Sequence, residues 1–329
     1  MRKHRFIIIG HGNISRSYMS AFAKLERAEI VGVVGRTEEK VKLFAETHRL
    51  RFYGTDLAKV AAEAEATAVI ICTPNAAHYG HVLAAAELGL HCLCEKPLHI
   101  DPAKQQEMIR RCSEHNVRLG VSYMRRFIPH IEWLKELMES GKLGRITVAD
   151  VTMKHFRAKA YYDSWHGTYE QDGGGPFMQQ GSHLIDMVQW LCGGAQEVLD
   201  AKLFQVYHDI ETEDHGYAVI RYRNGAVGMI QASTASVGME QERIEISGTL
   251  GSVSADYKGF LTFEVPGVEK PDFDPASAHN DVLFVKLAED FLAAIEQERP
   301  PAISGEEAAK ATDLIHQIYM KSGKPLKLF

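Results

Sequence analysis

The sequence has no apolar run long enough to cross a membrane and no strong excess of either charge. Among its 329 residues, Lys and Arg number 37 and Asp and Glu number 43, so the formal net charge is −6. A basic surface of the kind that binds nucleic acid is therefore not expected. The apolar run near the N-terminus covers only Phe6 to Ile9, which is too short for a signal peptide or a membrane span. These absences predict a cytoplasmic protein whose partner is a small molecule, neither nucleic acid nor membrane.

The sequence also lacks the cysteine spacing of a disulfide framework or of a structural zinc site. It has five cysteines, an odd number, and no C-x-x-C pair. They are Cys72, Cys92, Cys94, Cys112 and Cys192. No metal is expected; the alternative is a metal site of His183 with Asp186, for which the sequence signals no third ligand.

The length predicts two domains, and the first 120 residues show the pattern of a doubly wound α/β domain. Predicted helices, among them Ala76–Leu88 and Pro102–His115, alternate with short apolar strands. The strand candidates are residues 5–10, 29–35, 66–73, 90–96 and 117–123. Continuous apolar strands joined by helices indicate a parallel sheet that is covered on both faces. We assign residues 1–122 to a dinucleotide-binding domain.

Residues 123–329 have a different pattern, which predicts an α+β domain with a mostly antiparallel sheet. Strands are expected between Glu197 and Val265, including a hairpin whose Asn224 and Gly225 suit a type I′ turn. The predicted helices are residues 129–140, one that ends near residue 191, 280–298 and 305–321. The last helix is expected to pack back on the first domain.

A glycine loop directly follows the first predicted strand in "IIIGHGNIS". Gly10 and Gly12 let the backbone turn tightly and approach a pyrophosphate, and Ser15 stands where a third glycine is usual. Asn13 and Ile14 open the following helix, whose N-terminus stabilises negative charge. The alternative is a tight strand-to-helix turn with no ligand.

The second predicted strand ends in "VVGRT", where an NAD-binding fold commonly has an acidic residue for the ribose hydroxyls. This chain has Arg36 instead, which can bind a 2′-phosphate through two hydrogen bonds. NADP(H) is therefore favoured, and NAD(H) is the alternative. Arg36 could also be a solvated residue at a helix start.

Several further motifs occur in a fixed order. "TPNAAHYGHVLAAAELGLHCLCEKPL" contains T-P-N-x-x-H and E-K-P, and "VSYMRRFIP" and the glycine-rich "DGGGPFMQQGSHLID" follow. With the glycine loop, they resemble the Gfo/Idh/MocA family of oxidoreductases from about Phe6 to Gly193. The resemblance implies a Rossmann domain and a second domain with an open sheet, one face for substrate and the other for assembly. A homodimer or homotetramer is expected.

The resemblance also assigns roles at the carboxyl edge of the first sheet. Lys96 of E-K-P would hydrogen-bond the reacting hydroxyl and the nicotinamide ribose, and Glu95 would orient it. Physically, a cation there would stabilise a developing alkoxide. The remaining cofactor contacts implied at this edge are Thr73, Pro74, Asn75 and His78. Without the resemblance, Glu95 and Lys96 would be an ordinary surface ion pair.

In the glycine-rich segment, Gln179, His183 and Asp186 have spacings that share one face of a predicted helix. By resemblance His183 carries the hydroxyl proton, and Gln179 stands where the family has an aspartate. A glutamine cannot pass a proton, so Gln179 would only position the substrate. Asp186 could orient the His183 ring or pack the helix. Gly173–Gly175 would allow close approach of chain and ligand.

Upstream, "RAKAYYDSWHGTYEQDGGG" resembles a family branch that oxidises nucleotide-linked amino-sugar uronates. It implies that a set of mostly aromatic side chains lines the sugar site, namely Arg157, Tyr161, Tyr162, Trp165 and His166. His166 stands where that branch has an arginine, and the spacing before Trp165 is shorter. The alternative is that these aromatics pack a domain interface. Tyr123 and Arg125 are further substrate candidates.

The sequence thus predicts an NAD(P)-dependent oxidoreductase. It would transfer hydride between nicotinamide and a secondary alcohol or ketone carbon of a sugar, a cyclitol or a sugar derivative. One alternative is a non-catalytic regulator that senses a dinucleotide on the same fold. Another is a glycosidase that uses NAD as a tethered redox group.

Overall fold

The computed structural model describes residues 3–163 and 166–328. By its contacts the chain divides into two compact units. Unit 1 contains the residues up to Met124 together with His279–Ala309, and unit 2 contains Arg125–Ala278 and the residues from Lys310 onward. Residues 279–309 thus belong to unit 1, although they come late in the chain.

The described strands and helices follow one another in a regular order. The strands are β1 His4–Ile9, β2 Ala28–Val34, β3 Phe52–Gly54, β4 Ala68–Ile71, β5 His91–Cys94, β6 Leu119–Val121, β7 Ile146–His155, β8 Ala195–Gln205, β9 His215–Tyr222, β10 Val227–Ser233, β11 Glu240–Gly248, β12 Ser252–Asp256, β13 Gly259–Glu264 and β14 Leu326–Lys327. The α-helices are α1 Asn13–Phe22, α2 Glu38–His48, α3 Leu57–Ala64, α4 His78–Glu87, α5 Pro102–Glu114, α6 Pro129–Glu139, α7 Ser182–Cys192, α8 Asn280–Glu296 and α9 Gly305–Ser322. Of the helices in the described part of the chain, none combines the length and apolarity that a bilayer span needs.

Unit 1 contains a six-stranded parallel sheet in the order β3-β2-β1-β4-β5-β6. This confirms the doubly wound sheet predicted from the sequence. Phe6–Ile9 of β1 and Ala68–Ile71 of β4 are almost fully buried, as expected of central strands with helices on both faces. Five of the six strands were predicted. The strand β3 was not, because its three residues are too few to show a hydrophobic pattern.

The helix α8 returns to unit 1 and packs against its first elements. The ring of Phe284 lies edge-on to Tyr18 of α1 at 4.8 Å between centroids, and Phe291 lies edge-on to Phe6 of β1 at 6.3 Å. Gly120 of β6 provides room for the same helix, because a Cβ there would lie 2.8 Å from the Phe291 ring. Aromatic packing therefore holds α8 on the parallel sheet.

Unit 2 contains an eight-stranded sheet in the order β13-β12-β11-β7-β10-β9-β8-β14. Five of its pairings are antiparallel, and the β7–β10 and β8–β14 pairings are parallel. Burial alternates along β9 and β11, and α7 packs on β7 and β11. A sheet with one covered face fits the open, mostly antiparallel architecture that was predicted.

The β9–β10 hairpin forms as predicted, but its turn is not type I′. That turn needs a positive φ at both central residues, and of the pair only Gly225 has one, at +87°. The Tyr222 carbonyl accepts from the Gly225 N–H at 3.0 Å, and the Asn224 side chain accepts from the Ala226 N–H at 3.1 Å. The carboxamide thus stabilises a longer connection, which a two-residue turn signal does not reveal.

Two glycine-to-alanine substitutions in unit 1 should change stability in opposite directions. Gly120→Ala forces a methyl group against the buried Phe291 ring and should destabilise the protein by about 1–3 kcal/mol. Gly80→Ala lies in α4, where an added Cβ meets no described atom within 4 Å, and should stabilise it by about 0.5–1 kcal/mol. Chemical denaturation of both variants measures the two changes, and equal stabilities would contradict the packing of α8 on β6.

Candidate active site

The glycine loop of unit 1 is packed tightly against the end of β4. Gly10 has φ +103°, and a Cβ there would lie 2.6 Å from the Cys72 carbonyl oxygen. Ser15 is fully buried, and its hydroxyl donates to the Gly10 carbonyl at 3.1 Å. The serine that stands in place of the third glycine therefore closes the loop on itself.

The surroundings of this loop fit an anionic dinucleotide. An added Cβ at Gly12 meets no described atom within 4 Å, so the space above it is open. No side chain caps the start of α1 among the described residues, which leaves the N–H groups near Asn13 and Ile14 available to a ligand. The Thr73 hydroxyl, after β4, is buried with no described hydrogen-bond partner. The three features together suit a pyrophosphate-containing cofactor.

Arg36 lies directly after β2, where its side chain is exposed. The preceding Gly35 is needed for close packing, because a Cβ there would lie 2.8 Å from Val41 and 3.1 Å from the His11 ring. Arg36 thus follows the carboxyl end of β2, beside the strand β1 that the glycine loop follows. The carboxyl edge is the edge at which open α/β sheets bind ligands.

Lys96 follows β5 and is half-buried. Its neighbour Glu95 accepts two hydrogen bonds, one on each carboxylate oxygen. The Tyr18 hydroxyl donates to Oε1 of Glu95 at 2.8 Å, and the Lys96 N–H donates to Oε2 at 3.3 Å. Burial raises the pKa of Glu95, although Tyr18, Lys96 and Ser122 each act to lower it. The Lys96–Pro97 peptide bond is cis. The sequence did not reveal Tyr18, which lies in α1, far from E-K-P in the chain.

His78 joins the loop after β4 to the loop after β5. It is fully buried; its Nδ1 lies 3.0 Å from the Pro97 carbonyl and 3.2 Å from that of Leu98, and its Nε2 lies 2.9 Å from the Thr73 carbonyl. Burial lowers the pKa of His78 to about 4, against the raising effect of these three carbonyls. Asn75 is buried beside it, and Pro74 precedes this turn. Both ring nitrogens of His78 thus face protein carbonyls.

In unit 2, two of the three consecutive glycines are required by contacts between parts of the chain. A Cβ at Gly174 would lie 2.0 Å from the Tyr319 hydroxyl, and one at Gly175 would lie 1.9 Å from the Glu213 carbonyl oxygen. Gly173 has φ +77°, which favours glycine for its conformation alone. The expected approach to a ligand is therefore not needed to explain Gly174 and Gly175.

Glu213 lies beneath this glycine segment and was missed by sequence reasoning, because no motif surrounds it. Its fully buried carboxylate accepts from the Gly175 N–H at 3.1 Å, the Phe177 N–H at 3.4 Å and the Tyr319 hydroxyl at 3.0 Å. Burial raises the pKa of Glu213 to about 7 despite these donors. A carboxyl group that titrates near neutral pH thus supports the loop.

Gln179 does not lie on a helix, contrary to the expectation that it shares a helix face with His183 and Asp186. Residues 176–181 form turns, in which the Gly181 N–H donates to the Pro176 carbonyl at 2.7 Å, and α7 begins only at Ser182. The buried Gln179 amide donates to the Asp172 carbonyl at 2.8 Å. His183 is half-buried in the first turn of α7.

Asp186 forms a buried ion pair with Arg126. The Arg126 Nε and one terminal nitrogen lie 2.8 and 2.6 Å from the two carboxylate oxygens. Such a bidentate contact is strong, and removal of one partner would leave an uncompensated buried charge. Of the two roles considered for Asp186, this contact supports packing of the helix. No group of three or more His, Cys, Asp or Glu residues within 3–163 and 166–328 has the arrangement of a metal site.

The predicted sugar-site residues of unit 2 include a stacked group. The rings of Tyr161 and His166 are 4.0 Å apart and nearly parallel, and the Arg157 guanidinium lies 5.4 Å from the Tyr161 centroid. His166 Nδ1 lies 3.3 Å from a carboxylate oxygen of Asp172. The Arg157 Nε is buried with no described partner. The Tyr162 ring lies edge-on to Tyr161 at 5.1 Å between centroids, so four of the predicted residues are brought together, and Asp172 joins them.

Tyr162 and the remaining substrate candidates have further contacts in the described part of the chain. Tyr162 donates to the Thr234 hydroxyl at 2.8 Å, and Arg125 forms an ion pair with the buried Glu242. Tyr123 is fully buried. Trp165 lies outside the described residues.

Comparison with known proteins gives two matches to family models. Residues 4–123 match the model of an oxidoreductase family with an NAD-binding Rossmann fold. Residues 131–254 match the model of the GFO/IDH/MocA C-terminal domain. The two matches do not overlap, and together they include the glycine loop, Lys96 and the glycine-rich segment.

Full-length relatives are similar over most of the chain. The myo-inositol 2-dehydrogenase of Thermotoga maritima is 26% identical, over 93% of this chain and 92% of the relative. The inositol 2-dehydrogenase of Rhizobium meliloti is 24% identical, over 94% of both. Among solved structures, the WlbA dehydrogenase of Bordetella pertussis, in complex with NADH and UDP-GlcNAcA, superposes with a TM-score of 0.90. It is 27% identical, over 98% of this chain and 96% of that chain.

The buried Glu213 predicts a stability that falls as the pH rises. Its pKa is about 7 in the folded protein against an ordinary value of 4.5, so between these values the folded state binds more protons than the unfolded state. Stability should fall across this window, by on the order of 3 kcal/mol, and level off above it. Glu213→Gln should remove this loss, which denaturant unfolding at pH 5, 6, 7 and 8 would measure.

The matched control is Glu211→Gln, because Glu211 is an exposed carboxylate two residues away. It should keep the pH dependence of the unchanged protein. Parallel profiles for the original protein and Glu213→Gln would show that Glu213 does not titrate in this range.

Proposed function

Because the chain belongs to the Gfo/Idh/MocA family of oxidoreductases, we propose that it transfers hydride between nicotinamide and a sugar or cyclitol. The reacting carbon is a secondary alcohol in one direction and a ketone in the other. The matches to the two family models confirm the family and the oxidoreductase class that were predicted from the sequence. The observation that carries the substrate proposal is the pair of inositol dehydrogenases that align with nearly the whole chain.

The residues of the glycine loop are proposed to hold the cofactor phosphates. Gly10 allows the loop to pack against Cys72, Gly12 leaves open space before α1, and the N–H groups near Asn13 and Ile14 would bind the pyrophosphate. The Thr73 hydroxyl, with Pro74 and Asn75, would contact the cofactor beyond β4. His78 is given a bracing role, since both its ring nitrogens already face carbonyls of the two adjoining loops.

Lys96 is proposed to stabilise the substrate oxygen as it loses or gains its proton. When bound, the nicotinamide supplies or accepts the hydride. The Lys96 ammonium favours the alkoxide at that oxygen, and Glu95 fixes the backbone from which the lysine extends. His183 is proposed to take or give the hydroxyl proton, because imidazole titrates near neutral pH.

Gln179 is proposed to position the substrate without proton transfer. Its amide nitrogen donates to the Asp172 carbonyl, which fixes the orientation of a carboxamide that can form hydrogen bonds but cannot carry a proton. Arg157, Tyr161 and His166 are proposed to bind the sugar. A stacked aromatic surface suits a sugar ring, and the Arg157 Nε, which has no partner among the described residues, suits a hydroxyl or carboxylate oxygen.

The proposal includes a homodimer or homotetramer built on the uncovered face of the unit 2 sheet. Val148 of β7 and Val227 of β10 are directly paired and about 40% exposed, and Met229 lies nearby on β10 with 42% exposure. Apolar side chains grouped on a sheet face favour burial against another chain.

Substitution of Lys96 or His183 should abolish most of the activity. Lys96→Met and His183→Ala should each lower kcat/KM by about 10²- to 10⁴-fold, because each removes a charge or proton carrier at the reacting oxygen. The assay is the nicotinamide absorbance with NAD or NADP and a panel of inositols and sugars. Lys104→Met, on α5, is the control and should retain full activity. Unchanged rates in either variant would overturn the assigned role.

The preference for NADP(H) is proposed to depend on Arg36. Arg36→Ala should weaken NADP(H) binding about 10- to 100-fold, the effect of losing a charged hydrogen-bonded contact, and should leave NAD(H) binding within about twofold. Calorimetric titration of both cofactors measures this, with Arg110→Ala on α5 as the control. Equal affinity of the unchanged protein for the two cofactors would contradict the proposed preference.

A further inference from the structure

Tyr18 is a buried tyrosine in the middle of α1 that none of the sequence motifs includes. We propose that Tyr18 is a positioning residue for Lys96 and acts through the carboxylate of Glu95. The proposal rests on the catalytic role proposed for Lys96. It makes α1 serve two purposes, because the same helix whose first turn is proposed to bind the cofactor would also hold the support of the lysine.

The position of the Tyr18 hydroxyl is fixed by packing. The side chain is completely buried, and its ring lies edge-on to Phe284 of α8 at 4.8 Å. The hydroxyl donates to Oε1 of Glu95 at 2.8 Å, an ordinary distance for a hydrogen bond between oxygens. Because α8 packs against the ring, the hydroxyl has a fixed position. The hydrogen bond from this hydroxyl then fixes the position of the Glu95 carboxylate.

The two oxygens of Glu95 have separate partners. Oε1 accepts from Tyr18, whereas Oε2 accepts from the backbone N–H of Lys96 at 3.3 Å. The Ser122 hydroxyl is a third partner of this group. Glu95 thus connects α1 to the peptide unit from which the lysine side chain extends, and a change at Tyr18 is transmitted to Lys96.

The charged and titratable groups that face Glu95 come from three elements. Tyr18 faces Glu95 from α1, and Cys72 faces it from the end of β4. Cys94, the last residue of β5, and Lys96, in the loop after Glu95, are its neighbours in the chain. Burial raises the pKa of both thiols, so they stay neutral. Among these groups Lys96 supplies the positive charge, and Tyr18 supplies the strongest neutral donor.

Loss of the Tyr18 hydroxyl would therefore destabilise the ionised form of Glu95. The pKa of that carboxyl should rise further, because one hydrogen bond to the charged form is gone and burial is unchanged. The first turn of α1 is not touched by this change. Cofactor binding and lysine positioning should therefore respond differently to it.

The experiment is a titration of Tyr18→Phe that needs no substrate. Lysines are reductively methylated with ¹³C-formaldehyde, and the Lys96 methyl signal, assigned by its loss in Lys96→Arg, is followed by NMR from pH 4 to pH 9. Its acid-range inflection reports ionisation of Glu95 and should be absent in Glu95→Gln. In Tyr18→Phe this inflection should move upward by about one pH unit, as expected for loss of one hydrogen bond to a charged group.

Tyr222→Phe is the matched control. Tyr222 is also fully buried, but its hydroxyl has no hydrogen-bond partner among the described residues. Its removal should leave the Lys96 titration unchanged. Fluorescence titration with NADPH should give a Kd for Tyr18→Phe within about twofold of the original value, because the start of α1 is intact.

The acid limb of the kcat profile should move upward together with the Lys96 titration in Tyr18→Phe. An unchanged NMR inflection in Tyr18→Phe overturns the proposal, and so does an equal shift in Tyr222→Phe. A shifted inflection in a protein that turns over no sugar or cyclitol supports the Tyr18–Glu95 link and instead overturns the proposed function.

Discussion

Parallel backbone pairing of β1 with β4, and of β4 with β5, is the constraint on which the arrangement of unit 1 depends. It brings the ends of three strands to one edge, so that the glycine loop, Thr73 and Lys96 follow neighbouring strands although they are up to 86 residues apart in the chain. Side chains then tie these loops together. His78 links the second loop to the third, and Tyr18 links α1 to the third.

The features that were predictable from the sequence are those that depend on residues close together in the chain. Five strands of the first sheet show as apolar runs, and the glycine loop and E-K-P are recognisable as motifs. Strand β3 is too short to show such a pattern. The roles of Tyr18 and Glu213 were not predictable, because their partners Glu95 and Tyr319 are 77 and 106 residues away. A hydrogen bond at that separation leaves no local signal.

Unit 2 shows how a local sequence pattern can mislead about the arrangement of neighbouring residues. Gln179 was expected on the helix with His183, but the turns before α7 place its amide on the Asp172 carbonyl. The Asp172 carboxylate also accepts from the Gly167 N–H at 2.8 Å and lies 3.3 Å from His166. Asp172 therefore connects His166 and Gly167 to Gln179.

The contact between Gly174 and Tyr319 gives the helix α9 a part in shaping the glycine-rich segment of unit 2. Tyr319 fills the space that a side chain at residue 174 would occupy, and it donates to Glu213 beneath the same segment. A chain trimmed before Tyr319 would open a cavity under the three glycines and remove a donor from a buried acid. The length of α9 therefore sets how far this protein could be shortened before the three glycines lose their support.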